Sequence, residues 1–273
     1  MPHIETTSGV RIHYEERGGG IPLVLVHGWS TSAVVWRFQG ELARCSRVIS
    51  VDLRGHGESS APPTGYTIAD LADDLADLFA ALDLTGAVLL GWSLGAQVVL
   101  TSCRALRDRL AGLVLVGGTP RFTAAGDWPY GLPAREPRGM ELALRRDYQR
   151  TMGGFFRSMF APGELSREQE NRVAREVVMP GRLPPAAVAS ATLSILASAD
   201  LRDVLPAVDR PVLLLHGSED TICPAGASRY MAEHLADARL VLLEGMGHAP
   251  FLSHPDDFNR ILRAFLEELH GRH

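Results

Sequence analysis

A serine flanked by glycines is the residue in this sequence best placed to do chemistry. It lies in Gly91-Trp92-Ser93-Leu94-Gly95, directly after the apolar run Ala87–Leu90 and before Ala96–Ala105, which has a helical composition. A sharp turn from strand to helix crowds the backbone, so glycines fit best beside the serine, and the turn lifts the serine to the positive end of the helix. The segment predicts a nucleophile, the alternative being a plain turn.

A serine hydroxyl needs a neighbouring base at neutral pH, and histidine has the appropriate pKa. Among ten histidines, His248 follows the last apolar run in a glycine-rich loop, Glu244–Phe251, that can project it over a sheet. His234 and His254 lie in ordinary helical or pre-helical surroundings, where solvated side chains are expected. His27 and His216 end strands and are expected to form local hydrogen bonds. We therefore predict His248 as the base.

A carboxylate must orient the imidazole and stabilise the imidazolium. Asp220 follows the run Pro211–Leu215 and gives the chain order Ser, Asp, His. Glu219 is its nearest rival, whereas Asp200 and Asp209 could cap helices or turns. The sequence therefore predicts a triad of Ser93, Asp220 and His248.

Attack on an ester creates an oxyanion that backbone N–H groups must meet. Leu94, directly after the predicted nucleophile, supplies one N–H, and Trp29 in His27-Gly28-Trp29 is expected to supply the second. The Trp29 indole could equally form only a wall of the acyl pocket. The segment Asp52–Ser59 is interpreted as a structural turn with a buried Asp52, in preference to a catalytic element.

Short apolar runs rich in Val, Leu and Ile alternate with helix-like segments, which predicts an α/β fold with a mostly parallel sheet covered by helices. An alternating run, Gly9–Tyr14, predicts an antiparallel edge strand, and helical spacing predicts a helix over Ile68–Leu82. The predicted buried strands are Pro22–Val26, Arg47–Val51, Ala87–Leu90, Leu113–Val116, Pro211–Leu215 and Arg239–Leu243.

The alternation stops after Thr119-Pro120, where about 90 residues precede the next predicted strand. Ordinary αβ loops have only about two to six residues, so this segment is predicted to be an insertion. We expect a helical cap over residues 120–198, between a first core segment, 1–119, and a second, 199–273. The helical patches predicted within it are Met140–Phe160, Arg167–Val178 and Pro185–Ala197.

Composition limits the remaining classes. The chain has 46% hydrophobic and 22% charged residues and a formal net charge of −5, with no basic tract for nucleic acid. Cys45, Cys103 and Cys223 lack metal or redox spacing and are expected to be buried reduced thiols. With no signal-like N-terminus and no apolar run near about 18 residues, a soluble cytoplasmic protein without membrane contact is expected.

Over essentially its whole length the chain resembles the α/β-hydrolase superfamily, and most closely the pimeloyl-acyl-carrier-protein methyl ester esterases of biotin synthesis. Two of the similar runs lie in the predicted cap, where hydrolases otherwise diverge. The runs are His27–Trp29 with Val35-Trp36, Gly91–Gly95, Asp127–Pro129, Tyr148–Thr151, Ala199–Arg202, and His248–Phe251 with Ser253–Pro255.

The resemblance implies hydrolysis of a methyl ester on a pimeloyl chain carried by acyl carrier protein, with release of methanol and with no metal or organic cofactor. The same likeness implies which side chains surround the acyl chain, namely Trp29, Ser93, Leu94 and His248 with the cap residues Phe155, Phe156, Arg157, Ser158 and Met159. A monomer is expected.

The predicted cap is the positively biased part of the chain. Residues 119–195 hold 11 arginines against 8 acidic residues, whereas the remainder holds 16 against 24. Opposite charges steer association, so this face is expected to meet an acidic carrier protein. The candidate contacts are Arg145, Arg146, Arg150 and Arg157. Alternatively, these arginines belong to a solvated helix with ordinary ion pairs.

Two departures from the family pattern bear on the substrate. The turn from Asp52 to Gly57 lacks the Pro and Phe of the most similar members, and Gly154 stands where they often carry a second arginine. A general carboxylesterase, a cofactor-free haloperoxidase or a carbon–carbon bond hydrolase would use the same triad. Dehalogenases and epoxide hydrolases use a carboxylate instead. A receptor without catalysis is the alternative of another class.

Overall fold

One eight-stranded sheet organises the chain in the computed structural model, which describes residues 2–271. Its strand order is β1-β2-β4-β3-β5-β6-β7-β8. The strands are β1 His3–Glu5, β2 Arg11–Arg17, β3 Pro22–Val26, β4 Arg47–Val51, β5 Ala87–Trp92, β6 Leu110–Val116, β7 Val212–Gly217 and β8 Ala238–Leu243.

The direction of the strands places the residues that follow most of them at one edge of the sheet. β1 and β2 pair antiparallel and β2 pairs antiparallel with β4, whereas every other pairing is parallel. The carboxyl ends of β3, β5, β6, β7 and β8 therefore meet at the same edge. The predicted α/β-hydrolase architecture is confirmed, and all seven predicted strands are present with ends shifted by up to three residues.

Side-chain capping fixes the start of the first helix. α1, predicted over Ile68–Leu82, begins after Thr67 because Thr67 and Asp70 form a reciprocal capping box. The helices are α1 Ile68–Ala81, α2 Leu94–Leu106, α3 Arg135–Arg146, α4 Tyr148–Ser158, α5 Arg167–Val173, α6 Ala186–Ser198, α7 Gly226–His234, α8 Pro250–Ser253 and α9 Pro255–His270. Ala33–Arg44 is a 3₁₀ segment.

Four helices, α3 to α6, lie between β6 and β7. The patch predicted over Met140–Phe160 is divided at Asp147, which caps α4 by accepting the Arg150 N–H at 3.1 Å. The patch predicted over Arg167–Val178 consists of α5 followed by a short π-helix, Ala174–Val178. The third patch is α6, which begins directly after Pro185.

The prediction that all three cysteine side chains are buried was wrong for two of them. Cys223 is buried, but Cys103 is only partly buried and Cys45 is exposed. Cys45 directly follows the 3₁₀ segment at the surface, whereas Cys103 lies near the end of α2. No helix within residues 2–271 is long and apolar enough to cross a membrane.

The two ends of the long insertion are fastened together. Arg121 and Asp200 form an isolated antiparallel bridge, and their side chains form an ion pair at 2.6 Å. Arg202 adds a second contact to Asp200 at 2.7 Å and reaches Asp127 at 2.8 Å. The hydrogen bond from Arg202 and the two nearby positive charges lower the pKa of Asp200 to about 2.

We expect Asp200→Asn to lower the free energy of unfolding by about 1 kcal/mol at pH 7. The pKa shift corresponds to roughly 2.4 kcal/mol, and screening reduces this because 34% of the side chain is exposed. Because the pKa of Asp200 is lower in the folded than in the unfolded protein, its ionised form stabilises the folded state above the unfolded pKa. The difference in unfolding free energy between wild type and Asp200→Asn should therefore shrink as pH falls from about 4 to 2. Urea unfolding at several pH values measures this.

Asp73→Asn is the matched control, since Asp73 is an exposed carboxylate on α1 with no ion-pair partner within residues 2–271. An Asp200→Asn difference that stayed constant down to pH 2 would contradict the ion-pair explanation.

Candidate active site

Ser93 lies in a strained turn between β5 and α2. Its φ of 56° and ψ of −116° fall in a region that side chains disfavour. A Cβ on Gly91 would overlap the Gly95 carbonyl oxygen, and a Cβ on Gly95 would overlap the Val26 carbonyl oxygen. The two glycines therefore permit a turn that presents Ser93 above the carboxyl ends of the strands.

The backbone around Ser93 leaves two N–H groups free. The Ser93 N–H donates to the Val116 carbonyl at 3.0 Å. The N–H groups of Leu94, the first residue of α2, and of Trp29 donate to no group within residues 2–271. A Cβ on Gly28 would lie 3.2 Å from the Ser93 Cβ, so the loop that carries Trp29 packs directly against the turn.

His248 and Asp220 form a buried pair. The Nδ1 of His248 lies 2.7 Å from the Asp220 Oδ2, and both side chains are fully buried. The Oδ1 of Asp220 accepts the N–H groups of Ile222 and Cys223, each at 2.9 Å. Burial alone would raise the pKa of Asp220, but the charge of His248 and hydrogen bonds from His216 and His248 hold that pKa well below its usual value.

A carboxylate on Nδ1 fixes the tautomer of His248. Because Asp220 can only accept, Nδ1 carries the proton and Nε2 keeps a lone pair in the neutral ring. The Nε2 atom is buried and has no hydrogen-bond partner within residues 2–271. The indole of Trp92, the residue before Ser93, donates to the His248 carbonyl at 2.9 Å, which holds the ring beside the turn.

His216 is a second histidine on the same carboxylate. Its Nε2 lies 2.7 Å from the Cys223 carbonyl and 3.2 Å from the Asp220 Oδ2. Its Nδ1 lies 2.6 Å from the Ser228 hydroxyl. Since a carbonyl only accepts, Nε2 carries the proton and shares it between Cys223 and Asp220. The loop hydrogen bonds expected for His216 are present, but its contact with Asp220 was not predicted.

His27 fastens the loop of Trp29. Its Nδ1 lies 2.8 Å from the Gly28 carbonyl, and its Nε2 accepts the Leu53 N–H at 3.0 Å. Burial lowers the pKa of His27, so the ring stays neutral. The indole of Trp29 donates to the Ala189 carbonyl of α6 at 2.9 Å, which anchors the loop to the insertion.

Asp52 supports a turn, as its sequence context suggested. Its carboxylate is 2.8 Å from the His13 Nδ1 and accepts the N–H groups of Ala33 at 2.7 Å and Glu58 at 3.0 Å. Burial would raise the pKa of Asp52, but the hydrogen bond with His13 and those from the Ala33 and Glu58 N–H groups lower it. The carboxylate thus joins three chain segments.

The five insertion residues expected around the acyl chain are divided between two cavities. A cavity of about 180 Å³ lies beside Ser93, and Trp29, Phe155 and Ser158 line it. A neighbouring, mainly apolar cavity of about 590 Å³ is lined by Phe156, Arg157 and Met159. The rings of Phe155 and Phe156, 6.3 Å apart, turn towards different cavities.

Three of the four candidate carrier-contact arginines line one groove. Arg146, Arg150 and Arg157 lie along an open groove of about 710 Å³ between α3 and α4. Arg145 is outside that lining and pairs with Glu141 at 2.9 Å. The groove and the cavity beside Ser93 share four lining residues, namely Glu136, Met140, Phe155 and Ser158. The groove therefore borders that cavity.

Some lining residues were not anticipated. Glu136 and Met140 reach the cavity from α3, and Leu193 and Leu196 reach it from α6. Each pair has helical spacing, four or three residues apart, which was the available signal. No group of three or more His, Cys, Asp or Glu side chains suited to a metal ion is found in the part of the chain that the structure describes.

Comparisons with known proteins identify the family of the chain. The family model for the alpha/beta hydrolase fold matches residues 21–255. A pimeloyl-[acyl-carrier protein] methyl ester esterase from Nitrosomonas europaea is 38% identical over 248 residues, which cover 90% of this chain and 96% of that protein. One of the same name from Sodalis glossinidius is 36% identical, covering 90% and 94%.

Solved structures show the same architecture. An esterase from Exiguobacterium antarcticum has a TM-score of 0.90 at 29% identity, covering 97% of this chain and 98% of that one. A bromoperoxidase from Bacillus anthracis has a TM-score of 0.88 at 26% identity, covering 97% and 100%. The chain therefore belongs to the α/β-hydrolase family and, within it, to the esterase family of its two curated relatives.

Proposed function

We propose that this esterase hydrolyses the methyl ester of pimeloyl-acyl-carrier protein, with Ser93, His248 and Asp220 as its catalytic triad. This substrate is proposed because the chain is 36–38% identical, over 90% of its length, to two pimeloyl-[acyl-carrier protein] methyl ester esterases. The buried pair of His248 and Asp220 beside the Ser93 turn supports the mechanism.

The proposed reaction has two halves. The His248 Nε2 removes the Ser93 hydroxyl proton while Oγ attacks the ester carbonyl carbon, and the N–H groups of Leu94 and Trp29 stabilise the oxyanion. Collapse breaks the bond to the methoxy group, which leaves as methanol with the proton from His248. A water then gives a proton to Nε2 and attacks the acyl-enzyme. As the bond to Ser93 breaks, Nε2 returns that proton to Oγ, which frees the acid and restores both Ser93 and the neutral His248.

Residues 120–198 are proposed as a cap that admits the carrier-linked chain. The groove between α3 and α4 borders the cavity beside Ser93 and presents three arginines that have no ion-pair partner within residues 2–271, namely Arg146, Arg150 and Arg157. These positive charges suit an acidic carrier protein. We propose that the enzyme acts as a monomer and without a cofactor, because the steps above use only residues of one chain and a water molecule.

A general short-chain carboxylesterase is the second candidate. The cavity of about 180 Å³ beside Ser93 has mainly apolar walls and could hold a short acyl ester that has no carrier. The structural likeness to an esterase and a bromoperoxidase points the same way, because proteins of this fold use related sites on different substrates.

Rates on the two substrate classes separate these functions. We expect a higher kcat/KM for carrier-linked pimeloyl methyl ester than for a short nitrophenyl ester, and salt should lower only the former. Arg150→Glu should lower kcat/KM for the carrier-linked ester by about fivefold, since it reverses a charge at an exposed rim. It should not affect the nitrophenyl ester.

Arg104→Glu on α2 is the matched control, because Arg104 is exposed and lies outside the groove. Equal or better turnover of the nitrophenyl ester, with no salt effect on the carrier-linked one, would favour the general carboxylesterase.

A further inference from the structure

The loop that carries His248 is held by the insertion as well as by the sheet. The His248 N–H donates to the Met159 carbonyl at 2.7 Å, and the Gly247 N–H donates to the Glu164 Oε2 at 2.8 Å. Met159 directly follows α4, and Glu164 lies five residues further on. Two consecutive backbone donors of the histidine loop therefore end on one short segment of the insertion.

Glu164 is itself fixed in place. The same Oε2 atom accepts the Ala161 N–H at 2.6 Å, and the Glu164 N–H donates to the Ala161 carbonyl at 3.0 Å, which closes a turn. The other oxygen, Oε1, is buried without a partner within residues 2–271. Burying an unpaired carboxylate oxygen is unfavourable. The inward position of this side chain therefore depends on the two N–H groups that Oε2 accepts.

The contact between the two segments is tight. A Cβ on Gly247 would lie 2.6 Å from the Met159 carbonyl oxygen and 3.1 Å from the Glu164 Oε2. Gly245, two residues earlier, has a φ of 74°, and glycines leave a loop with few intrinsic constraints. The position of the His248 backbone thus depends on external partners.

Those partners fix His248 from two sides. On the side of the sheet, Asp220 holds Nδ1 and Trp92 holds the carbonyl. On the side of the insertion, Met159 and Glu164 hold the two N–H groups. We infer that Glu164 is a positioning residue for His248, an inference that rests on the proposed function. Its carboxylate sets where Nε2 stands relative to Ser93.

The two hydrogen bonds from Gly247 and His248 to Glu164 and Met159 also restrict how the insertion moves. The segment from Met159 to Glu164 cannot lift from the sheet without releasing the histidine loop. The groove between α3 and α4 borders the Ser93 cavity without involving these contacts, so it gives substrate a route that leaves the histidine loop in place. The segment Met159–Glu164, in the middle of the insertion, is therefore a fixed part of the site.

The rate at which a fluorophosphonate labels Ser93 tests the inference. Labelling needs the His248 base but no particular acyl group or carrier, so it does not depend on the substrate proposal. Glu164→Asp keeps the charge and shortens the side chain, whereas Glu164→Gln keeps the length and loses the charge. Glu168→Asp and Glu168→Gln are the matched controls, because Glu168 is exposed on α5.

We expect Glu164→Asp to slow labelling on the order of 10- to 100-fold, because small misplacements of a base are costly. Glu164→Gln should recover most of the rate, since its amide oxygen still accepts both N–H groups. On a short nitrophenyl ester, Glu164→Asp should lower kcat with little change in KM. Circular dichroism and urea unfolding establish that each variant is folded at the assay temperature.

The opposite order, slow Glu164→Gln and fast Glu164→Asp, would overturn the inference, because charge rather than reach would then matter. Equal rates for wild type and both folded Glu164 variants would overturn it too. If the wild-type enzyme itself resists labelling, the proposed serine mechanism fails instead. The two failures are therefore distinguishable.

Discussion

Ser93→Ala should lower ester hydrolysis by at least about 10⁴-fold, because no other group can form the acyl-enzyme. Initial rates on a short nitrophenyl ester measure the loss, and mass spectrometry should show that a fluorophosphonate no longer modifies the chain. The φ of Ser93 is unfavourable for serine and alanine alike, so the change adds no backbone strain. The unfolding transition of Ser93→Ala should therefore lie close to that of wild type.

Ser198→Ala is the control for Ser93→Ala, because Ser198 is the last residue of α6 and its hydroxyl donates only to carbonyls of that helix. It should retain the wild-type rate. A Ser93→Ala enzyme that kept a tenth of the wild-type activity would exclude the acyl-enzyme mechanism.

Asp220→Asn should lower turnover by about 10⁴-fold through the tautomer of His248. The N–H groups of Ile222 and Cys223 both point at Oδ1, so the asparagine carbonyl must take that position. Its NH₂ group then replaces Oδ2 and faces the His248 Nδ1, which it can approach only as a donor. The ring proton would move to Nε2, and the base would be lost.

The same change disturbs His216, whose Nε2 proton is shared with the Asp220 Oδ2. Some stability should therefore be lost together with activity, and urea unfolding measures that part separately. Asp209→Asn, at a surface ion pair with Arg107, is the control and should keep full turnover. An Asp220→Asn enzyme with more than about 1% of the wild-type kcat would contradict the tautomer argument.

Residue order along the chain predicts which residues share one edge of the sheet. Ser93 was selected because a G-x-S-x-G run follows a buried strand, and a parallel sheet brings the residues after its strands to one edge. Asp220 and His248 follow β7 and β8, so the same rule places them near that edge. The strands themselves were visible as continuous apolar runs.

Other features depend on contacts that local sequence does not encode. Glu164 meets Gly247 across 83 residues, and nothing near Glu164 in sequence indicates that partner. Phe155 and Phe156 are identical and adjacent, yet the folded helix directs them into different cavities. β1 has only three residues, too few for a periodic pattern, and it exists because β2 pairs with it.

The bridge between Arg121 and Asp200 has a consequence for how specificity can change. Because the two ends of the insertion already meet, the chain between them is a closed loop whose length matters little: doubling it costs only about 0.6 kcal/mol of closure entropy. The sheet would tolerate an exchange of this module, provided that the new one supplied a carbonyl for His248 and an acceptor for Gly247. Substrate preference can thus diverge by replacing one segment while the strands stay unchanged.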